Sequence, residues 1–187
     1  GFKVVGGVIS PVSDAYGKES LVPAKDRLEM CKLAICSDNN NSFLTVEPWE
    51  ALQLTWTPTV QVMKHFKQEL IEAGIPEVRV ILLAGSDLLD GIENPSIWDP
   101  EGVNELLNSF GVAVIERNPS IPLAKKIFIS NLLQPHASNI YGIPQIVSNE
   151  VSSSKLRLLL RRGHSIKYLT CDRVIEYIYE NNVFKTS

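Results

Sequence analysis

An α/β fold built on a mostly parallel sheet is predicted by three features of the chain. Short β-branched apolar runs alternate with helical patterns from end to end, the arrangement that right-handed crossovers produce. One run, Val78–Ala84, is almost continuously Val, Ile and Leu despite Arg79, as in a central strand covered on both faces. No internal repeat, low-complexity segment or linker interrupts the pattern, so residues 1–187 read as a single domain.

The elements follow in order. Val4–Ser10 is a short β-branched run stopped by Pro11, which predicts a buried strand. Polar residues from Ser13 to Pro23 form a loop long enough to be functional. A helix begins at Ala24, with Leu28, Cys31, Leu33, Ala34 and Ile35 as its apolar stripe. Ser37–Ser42 reads as a loop and Phe43–Val46 as a short strand. Thr57 and Pro58 resemble an N-cap and a first helical proline. That helix reaches Ala73, with Val60, Val62, Met63, Phe66, Leu70 and Ile71 at helical spacing, and stops at Gly74 and Pro76. After the Val78–Ala84 strand, Asp99-Pro100 opens a helix that ends near Phe110-Gly111. Val112–Ile115 is a strand, Ile121–Leu133 is helical, and Asn139–Val147 holds one or two strands around Gly142 and Pro144. Helices at Ser153–Arg162 and from Thr170 or Cys171 to Asn181 close the chain.

Composition narrows the function. Lys+Arg 18 against Asp+Glu 21 leaves a net charge of −3, which excludes a generally basic nucleic-acid binder and an acidic disordered tail. With 44% hydrophobic residues, a chain of this size folds without disulfides or a structural metal. No apolar run approaches the roughly 18 residues of a membrane span, and no signal peptide is visible. Three cysteines (Cys31, Cys36 and Cys171) are too few and odd in number for a disulfide framework, which points to a reducing, intracellular compartment.

Neither GxGxxG nor GxxxxGK[ST] occurs. His65, His136 and His164 share no metal-ligand spacing with one another or with a cysteine, so no protein metal ligand is assigned. The informative segment is Asn149–Arg157. Three hydroxyls (Ser152, Ser153, Ser154) stand where a helix begins, with Lys155 and Arg157 in its first turn. Helix starts favour acids there, because their free N–H groups already make that end positive. Two cations at that end therefore call for an anion, and amides, hydroxyls and a guanidinium together make a phosphate site. The plainer alternative is a serine cap with solvated cations. Six basic residues between Lys155 and Arg173, against Asp172 alone, favour a polyanionic ligand.

A second signal is Leu82–Asp87, an apolar strand ending at Gly85 and followed by a carboxylate, where ligands of open α/β sheets bind. Taken alone, a strand-to-helix turn capped by Asp87 explains it equally well. The loop Ser10–Lys18 also follows a strand and offers Tyr16 and Lys18. Trp56 and Trp98 each lie beside a loop or helix start, where a ring either stacks on a base or stays half-buried in a core.

Taken together, Ile9–Tyr16, Trp49-Glu50, Leu83–Leu89, Ile97-Trp98, Val151–Arg157, Arg161–Leu169 and Tyr177-Ile178 resemble the eukaryotic nicotinamide/nicotinate mononucleotide adenylyltransferases. Val151–Arg157 matches the family motif ISSTxxR, with Val151 for Ile and Ser154 for Thr. The resemblance implies a Rossmann-like nucleotidyltransferase that joins the mononucleotide to the AMP part of ATP and releases pyrophosphate with Mg²⁺. By resemblance, Ser152, Ser153, Ser154 and Arg157 hold the ATP phosphates, Asn149 contacts the adenine side, and Gly85 and Asp87 approach the ribose and the nicotinamide nucleotide. Tyr16, Lys18, Trp56, Thr59, Ile97 and Trp98 line the mononucleotide pocket, with Arg117 near the phosphates or the pyridine nucleotide. The family also opens with a strand leading into G-x-F-x-P-x-x-x-x-H, whose backbone and His grip ATP. Nothing here matches that motif, and Val4–Ile9 corresponds to the family's second strand. The expectation is a chain lacking its first strand, that motif and the first helix, with no catalytic residue assigned. The mononucleotide phosphate is already an anionic nucleophile, so catalysis is expected from positioning and charge neutralisation. Expected partners are ATP and the mononucleotide, with no nucleic acid and no membrane span; a homo-oligomer and a nuclear or cytoplasmic location are both admitted. The alternatives are another small adenylyltransferase and a non-catalytic nucleotide-binding or chaperone-like fragment.

Overall fold

The computed structural model describes residues 2–19, 21–36, 43–116, 121–147 and 149–184. The chain divides into two compact units, one made of Gly1–Thr57 with Glu150–Ser187 and the other of Pro58–Asn149. The first unit begins with β1 (Gly7–Ile9), α1 (Ala24–Ile35) and β2 (Leu44–Val46). The second contains α2 (Thr59–Glu72), β3 (Leu82–Gly85), α3 (Ser86–Ile92), α4 (Pro100–Glu105), β4 (Val112–Glu116), α5 (Leu123–Ile129) and β5 (Ile140–Pro144). The chain then returns to the first unit with α6 (Ser153–Arg161) and α7 (Asp172–Glu180).

In the first unit β1 and β2 pair in parallel, with Val8 opposite Thr45. The strand is shorter than the apolar run that predicts it. Val4 and Val5, in the earlier part of that run, are exposed. The helices pack through Ile166, Val174, Ile178 and Val183, against which lie Met30, Leu33, Leu156, Leu159 and Leu160. The 3-and-4 spacing of the α6 leucines is what turns that helix's apolar stripe inward. Ala24, Leu28 and Ala51 form a smaller cluster beside Val46. Ala34, expected in the α1 stripe, is exposed: it falls on the solvent side of the arc defined by Leu28 and Cys31. The Tyr177 hydroxyl on α7 donates to Asp26 on α1 at 2.8 Å.

In the second unit the sheet order is β3-β4-β5, all parallel. Val112 and Val114 of β4 are fully buried, with Leu89, Leu106, Leu107 and Leu133 around them. The Val78–Ala84 expectation needs correcting in two respects. The strand starts only at Leu82, where pairing with Val112 begins. It also lies at an edge of this sheet, with β4 central. Val80, Leu82 and Ala84 pack on the core, whereas Leu83 points away and is 62% exposed. An unbroken apolar run therefore does not mean that both faces are covered. Residues before Leu82 are held by Arg79, whose guanidinium donates to the Phe110 carbonyl at 2.9 Å and Asn139 Oδ1 at 3.0 Å.

The helix boundaries mostly follow local chemistry. Asp99 caps α4, accepting from the Gly102 N–H at 2.8 Å. A π-helical turn over Leu106–Phe110 continues α4 to Gly111, whose φ of 98° and the Asn139 carbonyl 2.8 Å from a would-be Cβ both demand glycine. Thr57 is not the cap of α2; Pro58 occupies that position, its carbonyl accepting from the Gln61 and Val62 N–H groups. The helix expected over Ile121–Leu133 is confined to Leu123–Ile129, because Pro122 occupies the cap and the Ser130 backbone is extended. Asn139–Val147 contains the single strand β5.

Candidate functional site

At the α6 start, Ser152 is the N-cap and accepts from the Lys155 N–H at 3.3 Å. Ser153 and Ser154 are exposed, and their amides have no partner among the described residues. Arg157 Nη2 donates to the Ser154 hydroxyl at 3.2 Å, so guanidinium and hydroxyl face one another. Lys155 pairs with Glu150 at 2.9 Å, and the lysine holds the Glu150 carboxyl below the usual carboxylate range. One of the two first-turn cations thus finds its anion within the chain. Among the described residues Arg157 has only a neutral hydroxyl as partner, which leaves its guanidinium able to meet a phosphate.

The loop after β1 is built differently. Asp14–Tyr16 forms one 3-10 turn, closed by Gly17 at φ 69°. Tyr16 is 52% exposed and Lys18 is exposed beyond it. Ser13 is fully buried, and its hydroxyl donates to the Thr55 carbonyl at a long 3.5 Å. Thr55 adjoins Trp56, whose ring is 49% exposed. Three residues expected at the mononucleotide (Tyr16, Lys18 and Trp56) are thereby carried on two segments joined at Ser13. Ser10, at the carboxyl end of β1, donates from its hydroxyl to Glu50 Oε2 at 2.5 Å. Burial pushes the Glu50 carboxyl up, against the opposing pull of the Ser10 hydroxyl and Arg27.

In the second unit, Gly85 ends β3 and is the N-cap of α3. A Cβ there would fall 2.6 Å from Asp87 Oδ1, so glycine leaves room for that carboxylate. Asp87 itself is exposed and caps nothing. Thr59 opens α2 and is half-buried. Ile97 is exposed, whereas Trp98 is half-buried and packs against the core that contains Leu89 and Val103. Asn149 is exposed. Arg117 and the expected Ser37–Ser42 loop lie outside the described residues.

Sequence reasoning missed a cleft of about 570 Å³ in this unit, lined among others by Ser86, Asp90, Glu93, Glu116, Lys126 and Ser130. Ser86 follows β3 and Glu116 ends β4, so the cleft lies at the carboxyl ends of two parallel strands. Several of its polar groups are already paired: Lys126 with Asp90, the Ser130 hydroxyl donating to Glu93, and Glu116 accepting the Leu123 N–H at 3.2 Å. None of the described residues expected at the nucleotide site lines it.

Parallel strands with helices packed on them and loops at their carboxyl ends define a Rossmann-like α/β fold. A solved structure of Plasmodium falciparum nicotinic acid mononucleotide adenylyltransferase complexed with APC superposes with a TM-score of 0.68 at 21% identity, covering 96% of this chain and 82% of that one. The cytidylyltransferase-like family profile matches residues 2–159. Nicotinamide/nicotinic acid mononucleotide adenylyltransferase of Oryza sativa is 38% identical over 188 residues, 99% of this chain and 74% of the rice protein. The Saccharomyces cerevisiae enzyme 2 of the same name is 36% identical over 192 residues, 98% of this chain. The chain spans 48% of the yeast relative's length. The chain belongs to the cytidylyltransferase-like family and, within it, to the nicotinamide/nicotinic acid mononucleotide adenylyltransferases. Among the described residues, no helix is long and apolar enough to cross a membrane.

Proposed function

We propose that this protein joins nicotinamide or nicotinate mononucleotide to the AMP part of ATP, forming the dinucleotide and pyrophosphate, with both units serving one nucleotidyltransferase domain. The observation that carries the reading is the α6 start. There Arg157 faces Ser154, and among the described residues the guanidinium has no carboxylate partner and the Ser153 and Ser154 amides have no acceptor. A phosphate oxygen of the mononucleotide attacks the α-phosphorus of ATP. The bond to the bridging oxygen breaks, and pyrophosphate leaves with that electron pair. The attacking group is already ionised, so no protein base is needed. The Arg157 guanidinium and the helix-start amides neutralise charge that grows on the phosphates. Tyr16 and Trp56 supply two rings, and Lys18 a cation, to the mononucleotide. Thr59, Ile97, Trp98, Gly85, Asp87, Asn149 and Arg117 complete the assignment of residues to the two nucleotides.

The donors at the α6 start are hydroxyls, amides and cations, a set that suits phosphate and not a divalent ion. Mg²⁺ therefore fits as an ion carried by the substrate phosphates, where it would screen their charge. The same reading places the protein in the nucleus or cytoplasm.

The test is pyrophosphate release by the protein expressed from its whole reading frame, with ATP, Mg²⁺ and each mononucleotide in turn. Release that requires the mononucleotide, with equal dinucleotide formation, is expected. Release with a phosphopantetheine or flavin precursor instead, or none with either mononucleotide, would overturn the assignment.

A further inference from the structure

Resting on the assignment of Tyr16 and Lys18 to the mononucleotide, we propose that Arg27 and Glu50 are positioning residues that set the loop Ser10–Lys18 in its binding geometry. Neither touches the mononucleotide in this reading; both act through the loop's backbone and its flanks.

Arg27 lies on α1 with a side chain only 11% exposed. Its guanidinium makes three different bonds: Nε to the Val22 carbonyl at 2.9 Å, Nη1 to the Val12 carbonyl at 2.5 Å, and Nη2 to Asp14 Oδ1 at 2.6 Å. Val12 and Val22 bracket the segment that carries Tyr16 and Lys18. A single side chain therefore ties the two ends of the loop to one helix and removes most of the freedom such a loop would have. Asp14 extends the clasp, because its second oxygen accepts the N–H of Ala24, the first residue of α1. That N–H, followed by Arg27, holds the Asp14 carboxyl below the usual range.

Glu50 fastens the other flank. Its carboxylate reaches across forty residues of sequence to the Ser10 hydroxyl, at the point where β1 gives way to the loop. A half-buried carboxylate loses hydration, and the Ser10 hydroxyl offsets part of that loss. What the carboxylate accomplishes is to hold the loop's origin beside the segment that runs on through Thr55 to Trp56. With Ser13 buried between them, the loop is held at Ser10, Val12, Ser13, Asp14 and Val22. Tyr16 and Lys18 are left projecting from a fixed base. Preorganisation of this kind favours a ligand by removing the ordering cost of the loop at the moment of binding.

The experiment uses the protein expressed from its whole reading frame and reads KM separately for ATP and for the mononucleotide. Tyr16→Ala and Lys18→Ala come first. Each should raise the mononucleotide KM about tenfold or more and leave the ATP KM within about twofold. If neither does, the assignment of the loop to the mononucleotide fails. If they do, Arg27→Lys tests the clasp. Lysine keeps the charge but cannot present a fork to two carbonyls and a carboxylate together. Its mononucleotide KM should rise about five- to twentyfold with the ATP KM almost unmoved, and the effect should shrink below about twofold when Lys18 is already alanine. Glu50→Gln should show the same split, smaller, and serves with Asp14→Asn as the deciding variant should Arg27→Lys fail to fold. Equal changes in both KM values, no change in either, or full additivity with Lys18→Ala would overturn the proposal and leave Arg27 and Glu50 as ordinary fold residues.

Discussion

The α6 start and the loop after β1 are both candidate anion-binding surfaces of the first unit, yet they are built in opposite ways. At the α6 start the described polar contacts of Ser152, Ser154, Lys155 and Arg157 are local: Ser152 with Lys155, Ser154 with Arg157, Glu150 with Lys155. The helix itself orients the groups, and one turn of sequence is enough to specify them. The loop Ser10–Lys18 has no such internal frame beyond a single 3-10 turn. It is held from outside, by Arg27 on α1, by Glu50 and by the Thr55 carbonyl. A locally built site should lose function when its own residues change and keep its fold. An externally braced one should also respond to residues that never meet the ligand.

The largest expected effect breaks the local site. Arg157→Ala should lower kcat/KM for ATP by about 2–4 kcal/mol, the range for losing one charge-stabilising donor. Its melting temperature should stay close to that of the parent, because the guanidinium's described partner is one exposed hydroxyl. A fall in Tm of many degrees would show that the helix start is structural. Next comes the pair of tryptophans, which sharpens the comparison. Trp98→Ala should reduce stability by about 2–4 kcal/mol, as for truncating a large, partly buried ring, measured by denaturant unfolding. Trp56→Ala should leave stability nearly unchanged and weaken mononucleotide binding by about 1–3 kcal/mol, the range for one lost stacking contact. Titration of each variant with the mononucleotide separates the two outcomes.

The smallest effect concerns the helix that braces the loop. The Asp26 carboxylate accepts from the Tyr177 hydroxyl and, with burial, pushes its pKa from 10.0 up to about 12. The protonated phenol is the favoured form in the folded state. The contribution is therefore complete below about pH 10 and is lost as pH rises toward about 12. Tyr177→Phe should cost about 1 kcal/mol at neutral pH, one ordinary hydrogen bond, and should flatten the alkaline part of the stability profile. Unfolding in urea at pH 7 and above pH 10 measures both.

This contrast also explains what could be read from the chain alone. The α6 start was legible because cap, hydroxyls and cations fall within six consecutive residues. The alternation of strands and helices, the Asp99 cap and the Gly111 stop were legible for the same reason. Arg27 was not. A cation on an amphipathic helix looks solvated, and its bond to Val12 depends on how the chain turns between them. The Ser10–Glu50 contact spans forty residues and has no sequence signature. Trp98 packs against the core that holds Leu89 and Val103, a contact that its place in the sequence does not reveal. Val78–Ala84 misled because apolar composition does not reveal which neighbour a strand has: Leu83 carries the same kind of side chain as Leu82 but faces outward. The cleft at Ser86 and Glu116 is assembled from groups scattered over some forty-five residues, none of them motif-like.

The central claim is that the first unit carries two separable anion sites, one for ATP and one for the mononucleotide. Calorimetric titration of Arg157→Ala and Lys18→Ala with each substrate, on the protein expressed from its whole reading frame, tests it most directly. The predicted result is crossed: Arg157→Ala loses about tenfold or more in ATP affinity and little for the mononucleotide, and Lys18→Ala does the reverse. Loss of the same substrate by both variants, or equal loss of both substrates by either, would contradict it.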